Sequence, residues 1–124
     1  MESEQLMLWI PHPGIWLNQN DRSHWRAVHK RKKEWETITM SALLYNNFPR
    51  NLPPCQVDSI FIFARNARRD PMNFTATTKV IIDELVRWGC WPDDNQRWVD
   101  ERTPQLTTGT RMGVRIILTP KELA

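Results

Sequence analysis

The stretch that decides the fold is VDSIFIFARNARRDPMNFTATTKVIIDELVRWGCWP, residues 57–92. It opens with a nearly continuous apolar run, Val57 to Ala64, which is typical of a central β-strand covered on both faces. In the segment Thr75 to Trp88, apolar residues recur on one helical face. Gly89 follows at the C′ position of that helix, and Pro92 prevents the helix from continuing. The stretch therefore predicts a strand, a loop and an amphipathic helix, in that order.

A strand and a long helix are predicted before this stretch. The strand spans Leu6 to Ile10, and the helix runs from a cap at Asp21 or Ser23 to about Tyr45. Spacings of three, four and seven residues give this helix one apolar stripe, made of Trp25, Val28, Trp35, Ile38, Ala42 and Tyr45. We expect that stripe to be buried.

Two more strands are predicted after the stretch. They span Trp98 to Leu106 and Gly113 to Thr119, with Thr108-Gly109 in a hairpin between them. Residues 1–124 are therefore predicted to form a single compact α+β domain. Its elements are ordered β-α-β-α-β-β, with a mixed sheet packed on two helices.

Composition narrows the class of protein. No apolar run approaches the roughly 20 residues that span a bilayer, and the N-terminal residues lack a signal-peptide pattern, so we expect a cytoplasmic protein without membrane contact. Cys55 and Cys90 lack metal-ligand spacing and are expected to be free thiols. Glycine-rich phosphate loops and zinc-site spacings do not occur in the sequence, so neither a nucleotide cofactor nor a zinc module is expected.

A basic segment in the first predicted helix points to a polyanionic partner. Between Arg22 and Lys33 there are six Lys or Arg, two His and no acidic residue. Two interpretations are open: a surface that contacts DNA phosphates, and a solvated helix face. The candidate DNA-binding residues are Arg22, Arg26, Lys30, Arg31 and Lys33, together with Arg65, Arg68 and Arg69.

The chain contains seven tryptophans, many for its length. Indole rings fill protein cores because they offer a large apolar area and only one N–H group to satisfy. They also stack on unpaired bases in proteins that bind single strands. The sequence favours the core for most of them and does not identify which of them face DNA.

Acidic residues around the second predicted helix are the main candidates for chemistry. Asp70 precedes the helix, Lys79 and Asp83 lie one turn apart on it, and Asp93-Asp94 follow it. Clustered carboxylates bind hard divalent cations such as Mg²⁺, which activate water for attack on phosphate. The structural alternatives are turn-forming aspartates and a surface ion pair between Lys79 and Asp83.

These residues resemble the RusA-type Holliday junction resolvases, including the divergent members common in phages and prophages. The family pattern is R-R-D-x-D-N, then K-x-x-x-D-x-L, then G-x-[WL]-x-D-D. The corresponding segments here are RRDPMN (68–73), KVIIDEL (79–85) and GCWPDD (89–94). The stretch from 18 to 25 is also similar to the one before the family's first helix. The resemblance covers about residues 6–119, and its specific part is 68–99.

The resemblance implies a homodimer that binds branched DNA and makes paired, symmetric nicks in four-way junctions with Mg²⁺ or Mn²⁺. It implies that Asp70, Lys79 and Asp94 are catalytic, with Asp70 and Asp94 as metal ligands and Asp93 as a weaker candidate ligand. Asp83 and Asn73 would support the metal site. A bacterial host, with a phage or prophage gene, is the setting that the resemblance suggests.

Two departures from the family pattern bear on activity. Met72 stands where the family has a second aspartate, and about three extra residues separate Asn73 from Lys79. A thioether is a poor ligand for a hard metal ion. The open interpretations are a single-metal site, a site completed by Asn73 or Asp83, and a protein that binds DNA without cleaving it. We predict an active endodeoxyribonuclease that resolves four-way junctions; a nuclease of linear or flapped DNA is a further alternative.

Overall fold

The computed structural model describes residues 4–18 and 24–121. Within them lie five strands and two helices: β1 (Leu6–Pro11), α1 (Trp25–Tyr45), β2 (Cys55–Phe63), α2 (Thr75–Trp88), β3 (Val99–Glu101), β4 (Gln105–Thr108) and β5 (Gly113–Pro120). A short 3-10 helix, Pro71–Phe74, leads directly into α2. The predicted α+β class, with a mixed sheet and two helices, is confirmed. Neither described helix has the length and apolar character that a membrane span requires.

β2 is the central strand of the sheet, as predicted. On one side it pairs antiparallel with β5, which in turn pairs antiparallel with β1. On its other side it pairs in parallel with β3 and then with β4. The predicted hairpin between the last two strands is wrong, because both edges of β5 are already occupied by β1 and β2. The predicted strand Trp98–Leu106 is two strands, because Pro104 lies between them and cannot donate a backbone hydrogen bond.

Alternation along the strands decides which face of the sheet is buried. Met7 on the opposite face of β1 is 60% exposed. On β2 the predicted cover of both faces holds only at Phe61–Phe63, since burial alternates from Cys55 to Ile60. The buried face carries Leu8, Ile10, Val57, Phe61, Val114, Ile116 and Leu118, all of them core residues. The sheet therefore packs its helices on one side.

The apolar stripe predicted on α1 is right in the middle of the helix and wrong at its ends. Trp35 and Ala42 are buried, whereas Trp25 is 67% exposed and Tyr45 is 90% exposed. The helix is longer than the core it covers, so its amphipathic periodicity continues beyond the buried residues.

The segment before α1 is held by hydrogen bonds to both helices. The Trp35 indole N–H donates to the carbonyl of Ile15 at 3.0 Å, and the Thr77 hydroxyl donates to the carbonyl of Leu17. His24 caps α1, because its Nδ1 accepts the backbone N–H of Arg26 at 3.2 Å. The predicted caps, Asp21 and Ser23, lie outside the described residues.

The end of α2 is fixed in the predicted way. Gly89 caps it with a φ of +111°, in the left-handed region that glycine adopts without a steric penalty. The indole of Trp88 donates to the carbonyl of Phe48 at 2.8 Å, and that of Trp91 donates to the carbonyl of Pro53 at 2.9 Å. These bonds anchor the start of the loop that carries Asp93 and Asp94.

Candidate functional site

Lys79 is the centre of the candidate site. Its Nζ lies 3.6 Å from Asp83 Oδ1, one turn further along α2. The same Nζ lies 3.5 Å from Asp94 Oδ2, in the loop that follows the helix. The structure therefore brings together three of the predicted site residues, one of them from outside the helix.

The carboxylates keep Lys79 charged. The nearby carboxylate of Asp83, and to a smaller extent that of Asp94, raises the pKa of Lys79 above its ordinary value. The lysine side chain is 69% exposed, so its ammonium remains accessible to an incoming anion. Lys79 is therefore a protonated, accessible donor of the kind that stabilises charge on a reacting phosphate.

Lys79 and Asp94 line an open cleft of about 800 Å³. Asp100 and Glu101, from β3, line the same cleft, and Lys121 follows β5 into it. Lys121 Nζ lies 3.1 Å from Asp100 Oδ2, so this carboxylate already has a cationic partner. The cleft thus mixes both signs of charge.

Glu101 is a cleft residue that the sequence analysis missed. Burial raises the pKa of Glu101 above its ordinary value, the positive charge of Lys79 opposes that rise, and the carboxylate of Asp94 adds to it. Sequence offered no signal for it, since an acidic pair on a short strand is typical of any solvated edge.

Asp93 and Asp94 have different surroundings, although they are neighbours. Asp93 Oδ1 accepts the backbone N–H of Asp94 at 2.7 Å, and its Oδ2 accepts from the Asn95 side chain at 3.2 Å. Both Asp93 oxygens thus accept hydrogen bonds from within the turn, as expected for a turn-forming aspartate. Asp94 is left to line the cleft and to pair with Lys79.

Asp70 and Asn73 line a different, smaller cavity of about 350 Å³. Asp70 Oδ1 accepts the backbone N–H of Met72 at 3.0 Å and so caps the 3-10 helix before α2. Met72 itself is 50% exposed. The predicted ligands therefore line separate cavities: Asp94 lines the larger cleft, Asp83 lines a groove beside it, and Asp70 and Asn73 line the smaller cavity. Within residues 4–18 and 24–121, no three His, Cys, Asp or Glu side chains are grouped so that they could hold a metal ion.

The predicted DNA-binding residues are divided between exposed and structural positions. Arg69 lies with its guanidinium carbon 3.9 Å from the centre of the Phe63 ring and donates from Nη1 to the carbonyl of Arg65 at 3.1 Å. Arg31 is partly buried, and Arg22 lies outside the described residues. The exposed members are Arg26, Lys30 and Lys33 on α1, and Arg65 and Arg68 in the loop after β2.

No protein-family model matches this sequence, and no curated protein is significantly similar to it.

Proposed function

We propose that this protein is a divalent-metal-dependent endonuclease that nicks four-way DNA junctions as a homodimer. The observation that carries the proposal is the position of Lys79, held between Asp83 and Asp94 at an open cleft. All three residues belong to the segments KVIIDEL and GCWPDD, on which the resemblance to RusA-type resolvases rests. The contact between those segments is what a catalytic lysine beside acidic ligands requires.

The carboxylates of Asp83 and Asp94 have the donor chemistry that suits Mg²⁺ or Mn²⁺. Mg²⁺ usually keeps several waters and is held by one or two protein carboxylates together with substrate phosphates. Asp94 in the open cleft and Asp83 in the groove beside it therefore fit an ion that is completed by DNA. Such an ion, when bound, supplies an acidic water and polarises a phosphate oxygen. Asp70, Asn73 and Asp93 join this set only if DNA binding rearranges their loops.

Lys79 has its own role at the scissile phosphate. Its ammonium carries three donors, and two carboxylates already limit where it can point. Negative charge builds up on the phosphate oxygens and on the leaving oxygen as the phosphodiester is cleaved. A fixed cation next to that charge stabilises the transition state more than the ground state.

The exposed arginines and lysines bind the flanking phosphates. Three of them lie exposed in the first half of α1: Arg26, Lys30 and Lys33. The other two, Arg65 and Arg68, lie close to Asp70 in sequence. Phosphate contacts of this kind are independent of sequence and weaken as salt is added. A two-fold symmetric junction is matched by a two-fold symmetric protein, which gives each subunit one strand to nick.

Two observations favour a second candidate, a DNA-binding protein of the same fold that does not cleave. Met72, which is half exposed, stands where the RusA-type pattern has a second aspartate. One carboxylate oxygen of Asp70 already accepts the backbone N–H that caps the 3-10 helix. A site that has lost one ligand and holds another in a cap binds metal weakly.

Cleavage of a labelled synthetic four-way junction tests the proposal. We expect paired, symmetric nicks with Mg²⁺, no nicks with EDTA, and little cleavage of a linear duplex or a flap. Lys79→Ala is expected to lower the rate by about 10²- to 10³-fold while junction binding remains. Tight junction binding without cleavage in Mg²⁺ or Mn²⁺ supports the second candidate, and equal cleavage of linear duplex contradicts junction selectivity.

A further inference from the structure

A second groove, of about 650 Å³, opens beside the Lys79 site. It lies between the start of α1 and the first turns of α2, with Trp25, Val28 and Lys32 on one wall. Ala76 and Lys79 line both this groove and the larger cleft, so the two cavities adjoin along α2. A ligand in the groove is therefore next to the proposed reaction centre.

Trp25 distinguishes this groove from the rest of the surface. It is 67% exposed, whereas Trp35, Trp88 and Trp91 are at most 8% exposed. The ring is flanked by cationic or aromatic neighbours, with the His24 ring stacked 5.7 Å away and the Arg26 guanidinium 5.4 Å from its centre. The structure thus separates one indole from those that fill the core.

We propose that this groove receives an unpaired base at the branch point of a DNA strand, and that the base stacks on Trp25. An aromatic platform in a basic groove is how proteins hold single strands without reading their sequence. The flanking phosphates have Lys32 and Lys79 as cationic partners on the two walls. The volume is within the range of sites that enclose small organic ligands.

Charge decides between a base and an apolar side chain of another protein as the occupant. The groove is apolar at Val28 and Val80. Two lysines, Lys32 and Lys79, line it together with one carboxylate, that of Asp83, which pairs with Lys79. Arg26 adds a further exposed cation beside Trp25. A strand backbone brings one negative charge per nucleotide to these cations, which an apolar peptide does not. The inference rests on the proposed function for the identity of the ligand and adds which part of a junction is recognised.

Equilibrium binding in EDTA tests the stacking without any cleavage. The probes are a single-stranded oligothymidylate, a four-way junction with 2-aminopurine at the branch point, and a fully paired duplex. We expect Trp25→Ala to weaken binding to the single strand and the junction by about tenfold while duplex affinity stays within about twofold. Trp25→Phe should restore most of the affinity, because phenylalanine also offers a ring face.

Tyr45→Ala is the matched control, since Tyr45 is an aromatic residue, 90% exposed, at the other end of α1. It should leave all three affinities unchanged. Stacking should also change the 2-aminopurine fluorescence in the wild-type complex, and Trp25→Ala should abolish that change. Unchanged single-strand affinity in Trp25→Ala, or an equal loss on duplex, overturns the inference. A wild type that stacks the base but makes no nicks in Mg²⁺ contradicts the proposed nuclease and leaves the base site standing.

Discussion

The two ends of the predicted catalytic site hold their aspartates in different ways. At one end, Asp94 reaches Lys79 because its neighbour Asp93 provides the hydrogen bonds of the turn. At the other end, Asp70 itself caps the 3-10 helix, and no second aspartate adjoins it in the sequence. A loop carboxylate is drawn to the nearest backbone N–H unless another acceptor satisfies it. In a pair of aspartates, one can therefore stabilise the turn while the other takes part in the chemistry, whereas a single aspartate must do both.

Replacing Asp94 should have the largest effect. Asp94→Asn removes a charge that holds Lys79 and a candidate metal ligand, so we expect cleavage to fall by about 10²- to 10³-fold. Stability should change by less than about 1 kcal/mol, because the Lys79–Asp94 ion pair is exposed. Single-turnover cleavage of a four-way junction and thermal unfolding measure the two quantities.

Asp93→Asn is the matched control for that variant. Asparagine keeps an acceptor for the backbone N–H of Asp94 and loses only the exposed bond from the Asn95 side chain, so cleavage should stay within about threefold of wild type. Equal losses in the two variants would mean that the turn geometry, and not the charge of Asp94, supports the reaction.

Replacing Asp70 should have the next largest effect. It tests whether the Asp70 end takes part in cleavage together with the Lys79 end. Asparagine caps helices about as well as aspartate, so Asp70→Asn preserves the bond to Met72 while removing the charge. We expect about a hundredfold loss of cleavage with an unchanged melting temperature. Asp70→Ala should add a stability loss of about 1 kcal/mol, since it also removes the cap. Full activity in Asp70→Asn would assign this residue to the cap alone.

Local patterns predicted the elements that fix the Lys79 end. The helical period, Gly89 and Pro92 placed α2 and its end, and spacing along the helix put Lys79 beside Asp83. The contact with Asp94 also follows from a short loop after a well-ended helix. Such features depend on neighbours within a few turns, which is why one sequence is enough to find them.

The pairing of strands that are distant in the sequence could not be predicted from local patterns. The apolar strands gave no sign that β5 would lie between β1 and β2, so a hairpin of neighbouring strands was predicted instead. The position of Glu101 in the cleft depends on the parallel register that sets it opposite Val57, and nothing local encodes that register. The exposure of Trp25 has the same origin, since periodicity marks a face of α1 without saying how far the core extends.

Introducing an aspartate at position 72, where the RusA-type pattern has one, is expected to have a moderate effect at the Asp70 end. Met72 is half exposed, so Met72→Asp should be tolerated and should add a carboxylate two residues from Asp70. We expect the Mg²⁺ concentration for half-maximal cleavage to fall by about tenfold, because ligand charge sets cation affinity. Met72→Ala is the control and should leave that concentration unchanged. No change in Met72→Asp would place the working metal ligands at the Lys79 end only.

The smallest expected effect concerns Glu101, one of the carboxylates that line the cleft with Lys79. The pKa of Glu101 is raised in the folded protein, so its contribution to stability is fully present below its ordinary value of 4.5 and is lost as pH rises through the raised pKa. Glu101→Gln should therefore match the wild type at about pH 3.5 and be slightly more stable at about pH 7.5, by less than about 0.5 kcal/mol. Thermal unfolding at the two pH values measures this difference.

If the carboxylates of the cleft attract a divalent cation, added Mg²⁺ should narrow the difference between Glu101→Gln and the wild type at the higher pH, because the ion offsets their repulsion. A difference that ignores Mg²⁺ would show that Glu101 lies outside the field of any ion bound near Asp94.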